Sequence, residues 1–171
     1  MKVRNNLLSA LAMVVLVGGL AWGQAPAEPL TSLDGRQVSL SELKGKIAVL
    51  SFGGTWVPMI SRELTALQRI GDRYAGREVE VYWISINSDK PGTRNHASDA
   101  DLRAFLQKSN LRLKVLRDPS QTAYRAFDLT ALPTIVILDR QGKVARTYVG
   151  IGTEQGDTYT EIIREIEALL K

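Results

Sequence analysis

The chain has 171 residues, 44% of them hydrophobic and 23% charged, with 14 Gly, 6 Pro and no cysteine, a composition that fits one globular domain and excludes a disordered or low-complexity chain. Its formal charge is +4, but Lys2 and Arg4 stand ahead of an apolar run; the rest carries +2 with alternating signs, which argues against nucleic acid as a partner. The lack of cysteine excludes thiol catalysis, thiolate metal sites and disulfides, so the core alone must stabilise the fold.

The first segment joins a basic start (Lys2, Arg4) to an apolar stretch from Leu7 to Trp22 and then to small residues at Ala21, Gly23, Ala25 and Ala27. This is the layout of a secretory signal peptide over residues 1–25, with cleavage expected after Gly23 or Ala25 and a mature domain of residues 26–171. Ser9, Gly18 and Gly19 interrupt the stretch, which falls short of the about 20 apolar residues that span a bilayer comfortably. Cleavage is therefore favoured over an uncleaved anchor facing the periplasm. The expected location is the periplasm or another extracytoplasmic space, with membrane contact only if the segment stays attached. No cysteine follows the apolar run, which excludes a lipid-modified lipoprotein.

Leu30 to Val38, split by Asp34-Gly35, reads as a short hairpin, because Asp-Gly supplies the positive φ that a tight turn needs. Ser39 to Leu43 reads as one helical turn closed by Gly45. Ile47 to Phe52 is a nearly continuous apolar run, the signature of a strand buried on both faces. A helix is expected next, with Pro58 in its first turn and Leu64, Leu67, Ile70 and Tyr74 on one stripe up to Gly76. Val79 to Ile86 is a second central strand, and Ser88 to Ala97 is polar loop. Ser98 with Asp101 forms a capping-box start for a helix ending near Asn110. Lys114 to Leu116 is a short strand, and Asp118-Pro119 offers an N-cap and first-turn proline for a helix through Phe127. Thr134 to Leu138 and Val144 to Val149 are joined by a short connection through Asp139-Arg140-Gln141-Gly142, which makes them antiparallel. A final helix carries Ile162, Ile163, Ile166, Leu169 and Leu170 on one face. The succession predicts an α/β architecture, a mixed sheet with helices on both faces.

Three stretches carry a family resemblance: Leu33-Asp34-Gly35 through Lys44-Gly45-Lys46, then Phe52-Gly53-Gly54-Thr55-Trp56-Val57-Pro58-Met59-Ile60, then Leu132-Pro133-Thr134 with Asp139-Arg140-Gln141-Gly142-Lys143. In this order and spacing the chain resembles TlpA/ResA-type thioredoxin-like (redoxin) proteins from Leu30 to Lys171. The resemblance implies a thioredoxin-like fold with an N-terminal β-hairpin extension. In that family the tryptophan precedes a Cys-x-x-Cys motif that caps the first long helix, and the pairing places Val57 and Ile60 at the two cysteine positions. Their aliphatic side chains neither ionise nor form the covalent intermediate of disulfide exchange. Pro133 falls at the family's cis-proline, whose preceding backbone pairs with substrate peptide. The resemblance also suggests a buried acidic or polar group for proton transfer, for which Ser51, in the strand before the motif, is no substitute.

No catalytic residue, cofactor or metal site is assigned. Trp56, Val57, Pro58, Met59, Ile60, Leu132, Pro133 and Thr134 are the candidate binding residues, either as a retained groove for extended peptide or as an inward-packed plug of the former active site. Thr55 and Ser61 lack a general base, and Thr55 is expected to cap the helix. His96, the one histidine, makes with Met59 a weak set for copper and is read as a loop residue. Gly53-Gly54 matches no phosphate-binding pattern and is read as a tight strand-to-helix turn. Two functions stay open: a redox-inactive module that binds an exported or envelope protein, and a redoxin-class oxidoreductase or antioxidant independent of its own cysteines. The sequence does not fix the oligomeric state. If the motif keeps thioredoxin geometry, Val57→Cys with Ile60→Cys is expected to restore a redox pair; an inward Val57 would prevent it.

Overall fold

In the computed structural model, residues 29–150 and 156–171 are described; the expected signal peptide lies outside them. Seven strands form one sheet: β1 (Leu30–Ser32), β2 (Gln37–Val38), β3 (Ile47–Gly53), β4 (Val79–Ser85), β5 (Lys114–Arg117), β6 (Thr134–Leu138) and β7 (Val144–Val149). Their spatial order is β2-β1-β5-β4-β3-β6-β7. The central β3, β4 and β5 are parallel, whereas β1, β2, β6 and β7 join antiparallel. The helices are α1 (Ile60–Arg73), α2 (Asp99–Lys108), α3 (Thr122–Ala126) and α4 (Asp157–Leu169), with a single 3₁₀ turn at Leu40–Leu43.

The burial of β3 on both faces follows from its sequence. Ile47 and Val49 face one core with Leu64, Leu67 and Ile70 of α1, Leu102 and Leu106 of α2, and Ile162 and Ile166 of α4. Ala48, Leu50 and Phe52 face the other, with Leu40 and Leu43 of the 3₁₀ turn and Ala123 of α3. Each fully buried Leu or Ile contributes about 1.5–3 kcal/mol, so the helical stripe that identifies α1 in the sequence is also what anchors it. Tyr74, at the end of that stripe, is buried, and its hydroxyl donates to Glu167 of α4 at 3.0 Å. At the amino end of the parallel strands, Glu80 accepts from Lys46 at 2.7 Å and from Lys114 at 2.5 Å.

The elements follow the sequence reading closely, with two helix starts displaced. α2 is capped by Ser98, whose hydroxyl accepts from Asp101 N–H at 3.1 Å while the Asp101 carboxylate accepts from Ser98 N–H at 2.8 Å. Pro58, by contrast, is not in the first turn of α1, which starts two residues later behind Met59. Asp118 is not adjacent to α3 either. That helix opens at Thr122 after Gln121 in the left-handed region, and Asp118 reaches forward to accept from Ala123 and Tyr124 N–H at 3.3 and 2.9 Å. Burial pushes its carboxyl above the usual aspartate value against the pull of these bonds.

Candidate functional site

Phe52 of β3 stands opposite Thr134 of β6, and Thr134 stands opposite Val149 of β7. The turn after β3, the loop before β6 and the end of β7 therefore emerge together at one end of the sheet. Between β3 and α1 the chain makes two tight turns, with Val57 N–H donating to Gly54 O at 3.0 Å and Ile60 N–H to Val57 O at 3.2 Å. The Trp56 indole lies over Gly54, where a Cβ would come within 2.2 Å of the ring, and the Ile60 Cδ1 rests on Gly53, where a Cβ would come within 2.9 Å. A side chain at Gly54 would therefore displace the indole, whereas one at Gly53 would meet only the movable end of Ile60.

The turn sorts its side chains into two sets. Val57 and Ile60, 7% and 4% exposed, join the core with Leu64 and Leu67. Between them Met59 adopts a left-handed backbone with φ 63° and stands 58% exposed, while Trp56 is 42% exposed; Pro58 is exposed too. Of the remaining candidates, Leu132 is half-buried against both cores, and Pro133 is half-buried behind a cis peptide bond. Thr134 is buried, with its hydroxyl donating to Ala131 O at 2.7 Å. The two positions paired with cysteine thus fill the core, as the plug reading expects, while their neighbours Trp56, Pro58 and Met59 face solvent.

A polar network holds the turn from below. Asn87, fully buried beyond the end of β4, accepts from Thr55 N–H at 3.1 Å and donates to Thr55 Oγ1 at 2.9 Å and Asn95 O at 3.2 Å. Ser85 Oγ donates to the same amide oxygen at 3.1 Å. The buried Arg117 guanidinium donates to Asn87 O at 3.3 Å, Ala97 O at 2.9 Å and Asp99 at 3.1 Å. Thr55 is therefore not the cap of α1, as its sequence position suggested; it is tied sideways to Asn87, and Met59 takes the N-cap position without a side-chain bond. His96 Nδ1 lies 3.1 Å from the Ser88 carbonyl, which places a proton on that nitrogen. Ser61 is exposed on the first turn of α1.

Two residues of this end escape the sequence reading. Val149, 71% exposed, is the third large apolar side chain open to solvent among the described residues, with Trp56 and Met59; as the last residue of a strand it gives no local signal. Glu63 is a buried acid on the first turn of α1, its Oε1 3.5 Å from the point where a Gly150 Cβ would sit. The expectation that this end lacks a buried acid, drawn from Ser51, is thus corrected. Glu63 falls on the stripe that includes Ile60, Leu64 and Leu67, and that placement was its available signal.

From Gly53 to Ile60 no side chain titrates, so the turn offers surface, shape and backbone rather than a nucleophile or base. The fold and the turn define a thioredoxin-like domain of the redoxin type with aliphatic residues at the motif's key positions. The chain belongs to the AhpC/TSA family, whose pattern it matches over residues 23–147. It is 27% identical over 132 residues to the thiol-disulfide oxidoreductase ResA of Bacillus thuringiensis, covering 77% of this chain and 71% of that one. To ResA of Bacillus subtilis it is 26% identical over 130 residues, covering 76% and 68%. Among solved structures it is similar to a putative thiol:disulfide interchange protein DsbE from Chlorobium tepidum, with a TM-score of 0.72, 23% identity and coverage of 86% and 96%. A secreted Mycobacterium tuberculosis disulfide oxidoreductase shares the fold at a TM-score of 0.64 and 22% identity, with coverage of 84% and 96%.

Proposed function

We propose that this protein is an exported, redox-inactive docking module that binds an extended apolar segment of another exported or envelope protein. The observation that carries the reading is the gathering of Trp56, Met59 and Val149, the large apolar side chains exposed among the described residues, at one end of the sheet. Large apolar side chains left exposed together at one end of a domain mark a contact site. Leu132, Pro133 and Thr134 border it, and Val57 and Ile60 support it from within. The basic-apolar-small pattern of the N-terminus supports an extracytoplasmic setting. An oxidoreductase independent of cysteine is the weaker reading, because the positions paired with the family's cysteines are aliphatic and the chain holds no thiol for Glu63, the buried acid at this end, to serve.

The test places a photo-crosslinking residue at Met59 or, as a control, at the exposed Lys108 on the far end of α2, in cells producing the full chain. A discrete crosslinked envelope protein is expected from position 59 only, and its loss when Trp56→Ala is added. The purified protein is expected to reduce a disulfide substrate no faster than buffer does. Equal labelling from both positions, or reductase turnover that survives repurification, would overturn the reading.

A further inference from the structure

Met59 carries the only sulfur atom between residues 14 and 171, since the other methionines are Met1 and Met13 and there is no cysteine. That atom lies in the turn between the two positions paired with the family's cysteines. Val57 and Ile60 on either side are turned into the core, whereas Met59, left-handed with φ 63°, stands 58% exposed. Trp83 and Tyr74 are buried, which leaves Trp56 as the competing oxidisable group on this face. With no thiol in the chain to consume an oxidant first, the thioether is the reactive sulfur of the whole domain.

We propose that Met59 is an oxidation site, and that its conversion to the sulfoxide turns off docking at this end of the sheet. The inference rests on the docking reading above. The step takes hydrogen peroxide as oxidant: a sulfur lone pair attacks one peroxide oxygen, the S–O bond forms as the O–O bond breaks, and the displaced hydroxide takes the remaining proton to leave as water. Sulfur loses two electrons and the peroxide gains them. The product carries a strongly polar oxygen where the unmodified side chain offers an apolar thioether. Seating that oxygen against an apolar partner leaves an acceptor desolvated, with an expected loss of about tenfold in affinity, or about 1.4 kcal/mol.

The test treats the protein purified from the envelope with hydrogen peroxide, maps oxygen addition by peptide mass spectrometry, and measures affinity by calorimetry for a short cysteine-free peptide of alternating valine and threonine. The expected results are a single added oxygen on Met59, about tenfold weaker binding afterwards, and no effect of peroxide on the affinity of Met59→Leu, whatever that affinity is. Oxidation falling first on Trp56, or oxidised Met59 with unchanged binding while Trp56→Ala abolishes it, overturns the switch and leaves docking standing. No binding by the untreated protein, or binding that neither oxidation nor Trp56→Ala alters, overturns the docking reading and the switch with it.

Discussion

Val57 and Ile60 differ from their exposed neighbours in where they point, and that decides what thiols at the same positions would do. The helix starts at Ile60 with Met59 as its N-cap, so position 57 lies outside the first turn and receives little of the helix dipole that lowers a thiol's pKa. Burial acts in the opposite sense. The pair Val57→Cys with Ile60→Cys is therefore expected to give a thiol at position 57 that titrates above the free value of about 8.5 and shows no disulfide reductase activity, contrary to what the motif spacing alone suggests. Titration by thiolate absorbance checks the first outcome, and a reductase assay the second. The sequence reveals which residue types stand in the turn, but neither their direction nor the left-handed conformation at Met59. Nothing in a methionine codes for that, and a side chain's sequence position does not tell a plug from a patch.

Elements whose start is encoded by a local bond are legible in the sequence, and those whose start is set by distant partners are not. Ser98 and Asp101 close a capping box within four residues, and α2 begins where they stand. The turn after β3 is held instead by Asn87, 32 residues from Thr55 in the chain, so neither Pro58 nor Thr55 signals where α1 opens. This makes Asn87 the residue to test. Asn87→Ala strips partners from Thr55 N–H and from the buried Ser85 hydroxyl, and it is expected to cost about 2–6 kcal/mol, since each buried group left unpaired costs about 1–3 kcal/mol. Denaturant midpoints measure the loss. Faster amide exchange at Thr55 to Met59, compared with α4, would separate loosening of the turn from general destabilisation.

Across the whole molecule the sheet is the most legible part, because the apolar runs of β3 and β6 and the stripes of α1 and α4 report burial directly. The charges around Glu80 are less so, since Lys46, Glu80 and Lys114 come from three separate strand starts. Burial raises the cost of the Glu80 charge, but hydrogen bonds from Lys114 and Lys46 outweigh it and hold the carboxyl below the usual glutamate value. The folded protein thus keeps Glu80 ionised at pH values where the unfolded chain has taken up a proton. Its contribution is full above about pH 4.3 and is lost as pH falls through the lower folded value. Glu80→Gln is expected to cost about 1 kcal/mol at neutral pH, with the gap to the parent protein closing as the solution is acidified. Chemical denaturation at a series of pH values reads that convergence, and a gap that widens in acid contradicts it.

The register that pairs Thr31 with Arg117 has a consequence for how the chain assembles during synthesis. Ribosomes release the N-terminus first, so β1 exists long before the strand it must pair with has been made. In that interval the hairpin of β1 and β2 is a two-stranded ribbon, which is marginally stable by itself. Joining it to β5 means closing a loop that contains β3, α1, β4 and α2, and the entropy of that closure is recovered only once the central parallel strands offer an edge. The N-terminal hairpin is therefore made before the rest of the sheet and is among the last of its strands to settle.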